Sequence, residues 1–411
     1  MTPSEKNQIR ELALQYAEIA SLPINQERQA RCRRINDLTP DRPPVWIDEI
    51  PWHEMDIDGQ LRLTSEDPLA REMEWFFREK LYRWKYIQAD MVLTSHYPMR
   101  KQYEFTGIGI DIQERRLAVD GGNPIVSHAY QDMLASPEDL EKLHPPKLIL
   151  DPALNAQRFH QAQQLLEGIM PVRWTGTYIS TSPWDQISML RGVQPILLDT
   201  VLRPEHLCAT IERFVTIEQA KMDQLEAAGL LDPEPITLHC TPSYTSSLPA
   251  GDYRGGPYRL KDVWIRGTAQ TFSSISPAMH EAFELHYMKP LFAQCGLVYY
   301  GCCEPLDDRI NLLKQIPNMR KIGVSPWANV WKCAEQIQGD YVVARKPNPA
   351  LVAVSLNTDA LKKEIRDTLE ACRQHHCACE FVLKDISTVG YKPQTLMEWS
   401  RVVQQTIDEF Y

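Results

Sequence analysis

The chain has 411 residues, 43% of them hydrophobic, enough to bury one large barrel core or two ordinary domains. A net charge of −10 repels phosphate backbones and anionic lipid surfaces, so neither nucleic acid nor a membrane is an expected partner. No apolar run reaches the roughly 18–20 residues of a membrane span, and the start lacks the basic and apolar stretches of a secretion signal. With ten cysteines and no CxxC…CxxC spacing, the expectation is a cytoplasmic chain with free thiols and no zinc ribbon.

In chain order, Thr2-Pro3-Ser4-Glu5 reads as a helix start, with Thr2 as N-cap, Pro3 in the first turn and Glu5 closing a capping box. Residues 1–43 are expected to form an N-terminal helical cap, and 44–411 one compact unit without internal repeats or a flexible linker. Strand-like runs then occur at 44–47, 90–94, 172–177, 236–240, 263–266, 297–300, 321–324, 341–344 and 381–383. Helical spacing fills 68–87, 203–229, 277–294, 330–338 and 358–373. The alternation predicts an α/β fold with a parallel sheet, namely a (β/α)8 TIM barrel with an N-terminal helical extension. Nine runs compete for eight barrel positions. One of 236–240 and 263–266 is the fourth strand, and the other belongs to an insertion with the Ser-, Pro- and Gly-rich loop 241–262.

The late runs end in polar chemistry: Gly301-Cys302-Cys303-Glu304, Ser325-Pro326-Trp327-Ala328-Asn329, Lys346-Pro347-Asn348-Pro349 and Lys384-Asp385. In a barrel these ends meet at one face, where active sites are built. Cys302 and Cys303 offer soft donors, and Gly301 lets the chain turn so that both can enter a site. Glu304, Tyr300, Lys384 and Asp385 are the catalytic candidates. His239-Cys240, a second pair at a run end, could join Cys302 and Cys303 as zinc ligands. His96, Trp46, Gln270, Trp327, Asn329, Lys346 and Asn348 are the candidates for holding a small polar or aromatic substrate. His375-His376-Cys377-Ala378-Cys379 is rich in metal donors but precedes the last strand, at the face where stability is the expected role. Gly107-Ile108-Gly109-Ile110-Asp111 lacks the third glycine of a nucleotide fingerprint. For each cluster the plainer alternative is packing: buried thiols, a satisfied core histidine, or a structural ion pair.

Tyr299-Tyr300-Gly301-Cys302-Cys303-Glu304, Lys346-Pro347-Asn348-Pro349 and the Gly267–Pro277 loop into Ser276-Pro277-Ala278-Met279-His280-Glu281-Ala282-Phe283-Glu284 are similar in order and spacing to the uroporphyrinogen decarboxylase-like superfamily. The first loop, Asp48-Glu49-Ile50-Pro51-Trp52-His53-Glu54, is acidic where the decarboxylases carry arginines, and His96 replaces their aspartate. The resemblance therefore falls on the cobamide-dependent methyltransferase branch. It implies methyl transfer between a small-molecule donor or acceptor and a corrinoid protein, assisted by zinc. The zinc-site histidine of that branch aligns with Tyr300, Cys302 is kept, and the last cysteine is replaced near Lys384-Asp385. No cobalamin-binding Asp-x-His-x-x-Gly motif is present, so a separate corrinoid-carrying partner is implied. Relatives often dimerise, which allows a homodimer. Two other readings stand beside this one: a cofactor-free decarboxylase or lyase on the same barrel, and a non-catalytic small-molecule-binding barrel.

Overall fold

The computed structural model describes residues 1–117, 126–353 and 355–411. Two helices open the chain, α1 (Pro3–Ala20) and α2 (Pro23–Asn36). The start of α1 is the expected capping box: Thr2 Oγ1 accepts from the Glu5 N–H, and Glu5 takes the Thr2 N–H in return. Ile9, Ala13 and Tyr16 of α1 then bury against Met73 and Phe77 of α3 (Pro68–Tyr86).

Seven strands pair in one parallel sheet: β1 (Val45–Ile47), β2 (Ile179–Thr181), β3 (Trp264–Gly267), β4 (Leu297–Tyr300), β5 (Met319–Val324), β6 (Val342–Arg345) and β7 (Cys379–Leu383). Their spatial order is β1-β7-β6-β5-β4-β3-β2, a curled half-barrel with β1 and β2 at its edges. Every pairing is parallel; Val45 lies against Phe381, and Leu297 against Trp264. The sequence shows β3 to β7 clearly because both faces of these strands are buried, which selects unbroken apolar runs. Trp264, Tyr299 and Ala344 meet on the inner face, while Ile265, Val298, Tyr300, Ile322 and Val343 pack outward against the helices. Those helices lie where helical spacing put them: α4 (Pro204–Ala227), α5 (Val330–Ile337), α6 (Thr358–Gln374), and a helix from Pro277 to Phe292 with a π turn over Glu281–Leu285. The chain ends in α7 (Pro393–Phe410).

Two expected strands are corrected. Residues 90–94 form no strand; the Asp90 N–H donates to Val45 O at 2.8 Å, but the run beyond it is irregular. Residues 236–240 form only an isolated antiparallel bridge between Leu238 and Thr241, so 264–267 is the sheet strand of the doubtful pair. The run at 172–177 becomes Val172–Thr175, which pairs with Tyr97–Arg100 in a separate two-stranded ladder. β2 is hidden in the sequence because three residues, two of them Ser and Thr, carry little apolar signal.

The insertion after α4 reaches the inner face of the sheet. Trp264 Nε1 donates to Ser243 O at 3.0 Å, and Lys321 Nζ reaches Thr241 Oγ1 at 2.9 Å and Glu380 Oε1 at 2.8 Å. Lys321 and Glu380 are wholly buried, so each offsets the other's desolvated charge. All ten cysteines are free. Among the described residues, no helix is long and apolar enough to cross a membrane.

Candidate active site at the strand ends

The turn at residues 239–240 is the centre of the site. Leu238 N–H donates to Thr241 O at 2.7 Å, and Thr241 N–H to Leu238 O at 3.2 Å, closing a two-residue hairpin over His239-Cys240. Both residues have positive φ, 40° and 67°, the pattern of a type I′ turn that normally selects Asn or Gly. Left-handed backbone costs a residue with a Cβ free energy and is found where geometry matters more than stability. Adjacent residues on a strand would point to opposite faces; on this turn they share one site. Tyr178 Oη accepts from the His239 N–H at 3.0 Å and fixes the turn to the chain entering β2. Glu49, just beyond β1, and Asp385, just beyond β7, also have positive φ (50° and 57°), as does Gly301 (107°) beyond β4. Left-handed backbone thus recurs at three strand ends beside the turn, as it also does at Leu38, Asp58, Asn318, Gln338, His376 and Tyr391 elsewhere.

Cys302 lies where these segments converge. Its Sγ is 3.3 Å from His239 Nε2, 3.3 Å from Lys384 Nζ and 3.6 Å from Cys303 Sγ. The bond to Cys303, despite burial, holds the Cys302 thiol well below its ordinary range, with help from His239, Lys346 and Lys384. Cys303 moves the other way, raised by Cys302 beside it and by burial. The Cys303 thiol lies 2.8 Å from Asp385 Oδ2, and Lys384 Nζ bonds the same oxygen at 2.8 Å. Burial disfavours the Lys384 ammonium, but Cys302, Asp385 and Glu49 more than restore it. The cations around the pair favour the thiolate at Cys302, and the Cys303 thiol keeps its proton the more readily of the two.

Glu49, His239 and Cys240 present a carboxylate oxygen, a ring nitrogen and a thiol within 4.8 Å of one another and could hold a metal ion. Burial keeps His239 below its usual range and hence neutral, as a ligand must be. Burial also raises Cys240, so binding a cation there would displace its proton. Nitrogen, sulfur and carboxylate donors are the set that zinc accepts; Cys302 Sγ lies against His239 Nε2 at 3.3 Å but is not one of the three grouped donors. The residues fit such an ion.

The expected site residues divide sharply. His239, Cys240, Cys302, Cys303, Lys384 and Asp385 come together. Lys346 is close behind, its Nζ donating to Cys302 O at 2.7 Å and Gly301 O at 3.3 Å from full burial. Glu304 is fully buried and occupied: Oε1 accepts from Thr268 Oγ1 at 2.6 Å, and Oε2 from the Cys302 N–H at 2.9 Å. It shapes the Cys302 turn rather than facing the opening. Tyr300 points outward to His280, with Oη 2.8 Å from Nε2. Trp46 packs with Cys32, Val92 and Tyr244, and Trp327 is 67% exposed. Asn329 caps α5 by accepting from the Lys332 N–H, and Asn348 accepts from the Ala350 N–H. His96 is half-buried near Arg173 and Asp232, the former helping burial to lower its pKa. Gln270 reaches the site's edge, where its N–H and Nε2 bond Asp185 at 3.2 Å each.

Sequence reasoning misses four residues of the site. Asp185 follows the hidden β2, and its burial raises its carboxyl to about 6. Arg266 on β3 places Nη2 3.1 Å from His239 Nε2, while its buried Nε has no hydrogen-bond partner among the described residues. Glu49 stands in the acidic first loop without an assigned role, and Tyr178 lies in a gap between runs. Compared with family models and with curated proteins, the chain matches none.

Proposed function

We propose that this chain is an enzyme whose chemistry runs on the Cys302–His239–Cys240–Glu49 cluster, and that it transfers a methyl group between a small substrate and a corrinoid carried by a partner protein. The observation that carries the reading is the meeting of His239 Nε2 and Cys302 Sγ at 3.3 Å, with the Glu49 and Cys240 donors beside them. In the proposal Glu49, His239 and Cys240 hold zinc, with Cys302 the neighbouring sulfur, and the ion when bound would polarise a substrate heteroatom or thiol. Lys384 and Lys346 hold the Cys302 sulfur anionic, Asp385 fixes Lys384, and Glu304 fixes the backbone at Cys302. The closed (β/α)8 barrel of the methyltransferase branch of the uroporphyrinogen decarboxylase-like superfamily belongs to the same proposal. What supports that reading is the Asp90 N–H bond to Val45 O beside one edge strand and the separate ladder Tyr97–Arg100 with Val172–Thr175 that precedes β2 in the chain.

The test is metal analysis of the purified protein together with a methylcobalamin demethylation assay. One zinc per chain is expected in the wild type, falling by more than about tenfold in occupancy in His239→Ala and Cys240→Ala. A wild type without zinc, or variants that keep it, overturns the metal assignment.

A second reading has its own support. Arg266, Lys346 and Lys384 stabilise the Cys302 thiolate without any ion, and Asp185 keeps its proton up to about pH 6. That arrangement suits a metal-free lyase or decarboxylase, and activity that survives exhaustive chelation would select it.

A further inference from the structure

Beside the His239–Cys240 turn lies a cavity of about 470 Å³, a size that suits a small ligand. Its walls have different characters. His239, Cys240, Asp48 and Glu49 line one part; Tyr103, Tyr178, Thr175 and Ser180 line another; Arg100 and Lys101 close it. The cations come from the end of Tyr97–Arg100, so the two-stranded ladder outside the main sheet delivers them. Among the described residues, neither has an ion-pair partner; Lys101 Nζ reaches only Gly229 O, at 3.3 Å.

We infer that this cavity binds a small, singly charged carboxylate, with the carboxylate against Arg100 and Lys101 and the remainder of the molecule directed to the His239–Cys240 turn. Asp48 and Glu49 limit the charge: a polycarboxylate or phosphate that filled the cavity would bring negative charge against them. Tyr103 and Tyr178 suit an apolar or aromatic middle portion. The inference rests on the reading that the strand ends form the substrate site, but not on zinc.

The experiment compares 3-phenylpropionate with its neutral amide, 3-phenylpropionamide, by calorimetry on the full chain, both with zinc and after chelation. Inorganic phosphate and a dicarboxylate, phenylsuccinate, serve as further probes. The acid should bind about tenfold or more tightly than the amide, the scale of a charge-assisted contact. Arg100→Ala/Lys101→Ala should abolish that preference while leaving the amide unchanged. Phenylsuccinate should bind no better than the monoacid, and phosphate more weakly. Equal affinity of acid and amide in both conditions, or a preference that survives the double variant, overturns the assignment. Tighter binding of phosphate or the dicarboxylate overturns the single-charge limit. A preference retained after chelation in a protein that never takes up zinc overturns the metal reading alone, so the two ideas fail separately.

Discussion

Cys302 at the strand ends and the cysteines of the core have the same chemistry in isolation and opposite chemistry in place. Cys302 and Cys303 stand at the strand ends among Lys384, Lys346, His239 and Arg266; Cys333, Cys372, Cys377 and Cys379 lie in the core under α5 and α6. Burial is deep at Cys302, 2% exposed, as at Cys372, 4% exposed, while Cys303 is half-buried. Yet the surroundings lower the Cys302 thiol, whereas burial raises Cys333 to about 12, and Cys372 and Cys377 also lie well above the thiol range. Removal from water sets the cost of charge, and fixed cations and donors decide whether that cost is met. A metal-rich look in sequence therefore carries little: His375-His376-Cys377-Ala378-Cys379 has more donors in a row than His239-Cys240, but among the described residues only the latter belongs to a group of three donors within 4.8 Å of one another.

The largest expected effect tests this contrast directly. At pH 6.5 in chelator, iodoacetamide should label the Cys302–Cys303 peptide at least about 100-fold faster than the Cys372–Cys379 peptide, read by mass spectrometry of digests. Equal rates would break the comparison. Next, Cys379→Ser should cost about 1–3 kcal/mol in urea melts, because an uncompensated hydroxyl replaces a thiol in apolar packing, with metal content unchanged. A smaller effect, about 1 kcal/mol, is expected for Asn329→Ala through loss of the α5 cap; unchanged binding of 3-phenylpropionate would separate a capping role from a ligand-holding one.

The smallest prediction concerns pH. The folded-state pKa of Asp185 is raised by burial from 3.8 to about 6. Its protonated form is the one that folding favours, so its contribution to stability is complete below about pH 4 and is lost as pH rises to about 6. In Asp185→Asn, the fall in stability over that window should flatten. A variant whose pH profile overlays the wild type would refute the assignment.

How much of this is legible in the sequence follows from where information is stored along a chain. Strands β3 to β7 are readable because parallel strands buried on both faces must be apolar, and the helices because one face repeats. β2 is not, since Ile179-Ser180-Thr181 gains its place only from pairing with Ile265-Arg266-Gly267. At the site, Cys302, Cys303, Lys346, Lys384 and Asp385 are visible because they follow readable strands. Arg266 is hidden inside a strand, and Asp185 behind the missing β2. Glu304 and Tyr300 mislead for a simple reason: adjacency in sequence to Cys302 does not give the direction of a side chain. Glu304 turns back to Thr268, and Tyr300 lies on the outer face of β4.

The left-handed turn at His239-Cys240 has a consequence for anyone engineering this chain. Each of these two residues gives up about 1 kcal/mol or more relative to glycine to hold its conformation. A stability screen blind to chemistry would therefore reward His239→Gly and Cys240→Gly among its early winners. Thermostabilised descendants chosen that way would carry an intact sheet and have lost the histidine and thiol donors of the turn, so melting temperature and ligand binding need to be selected together there.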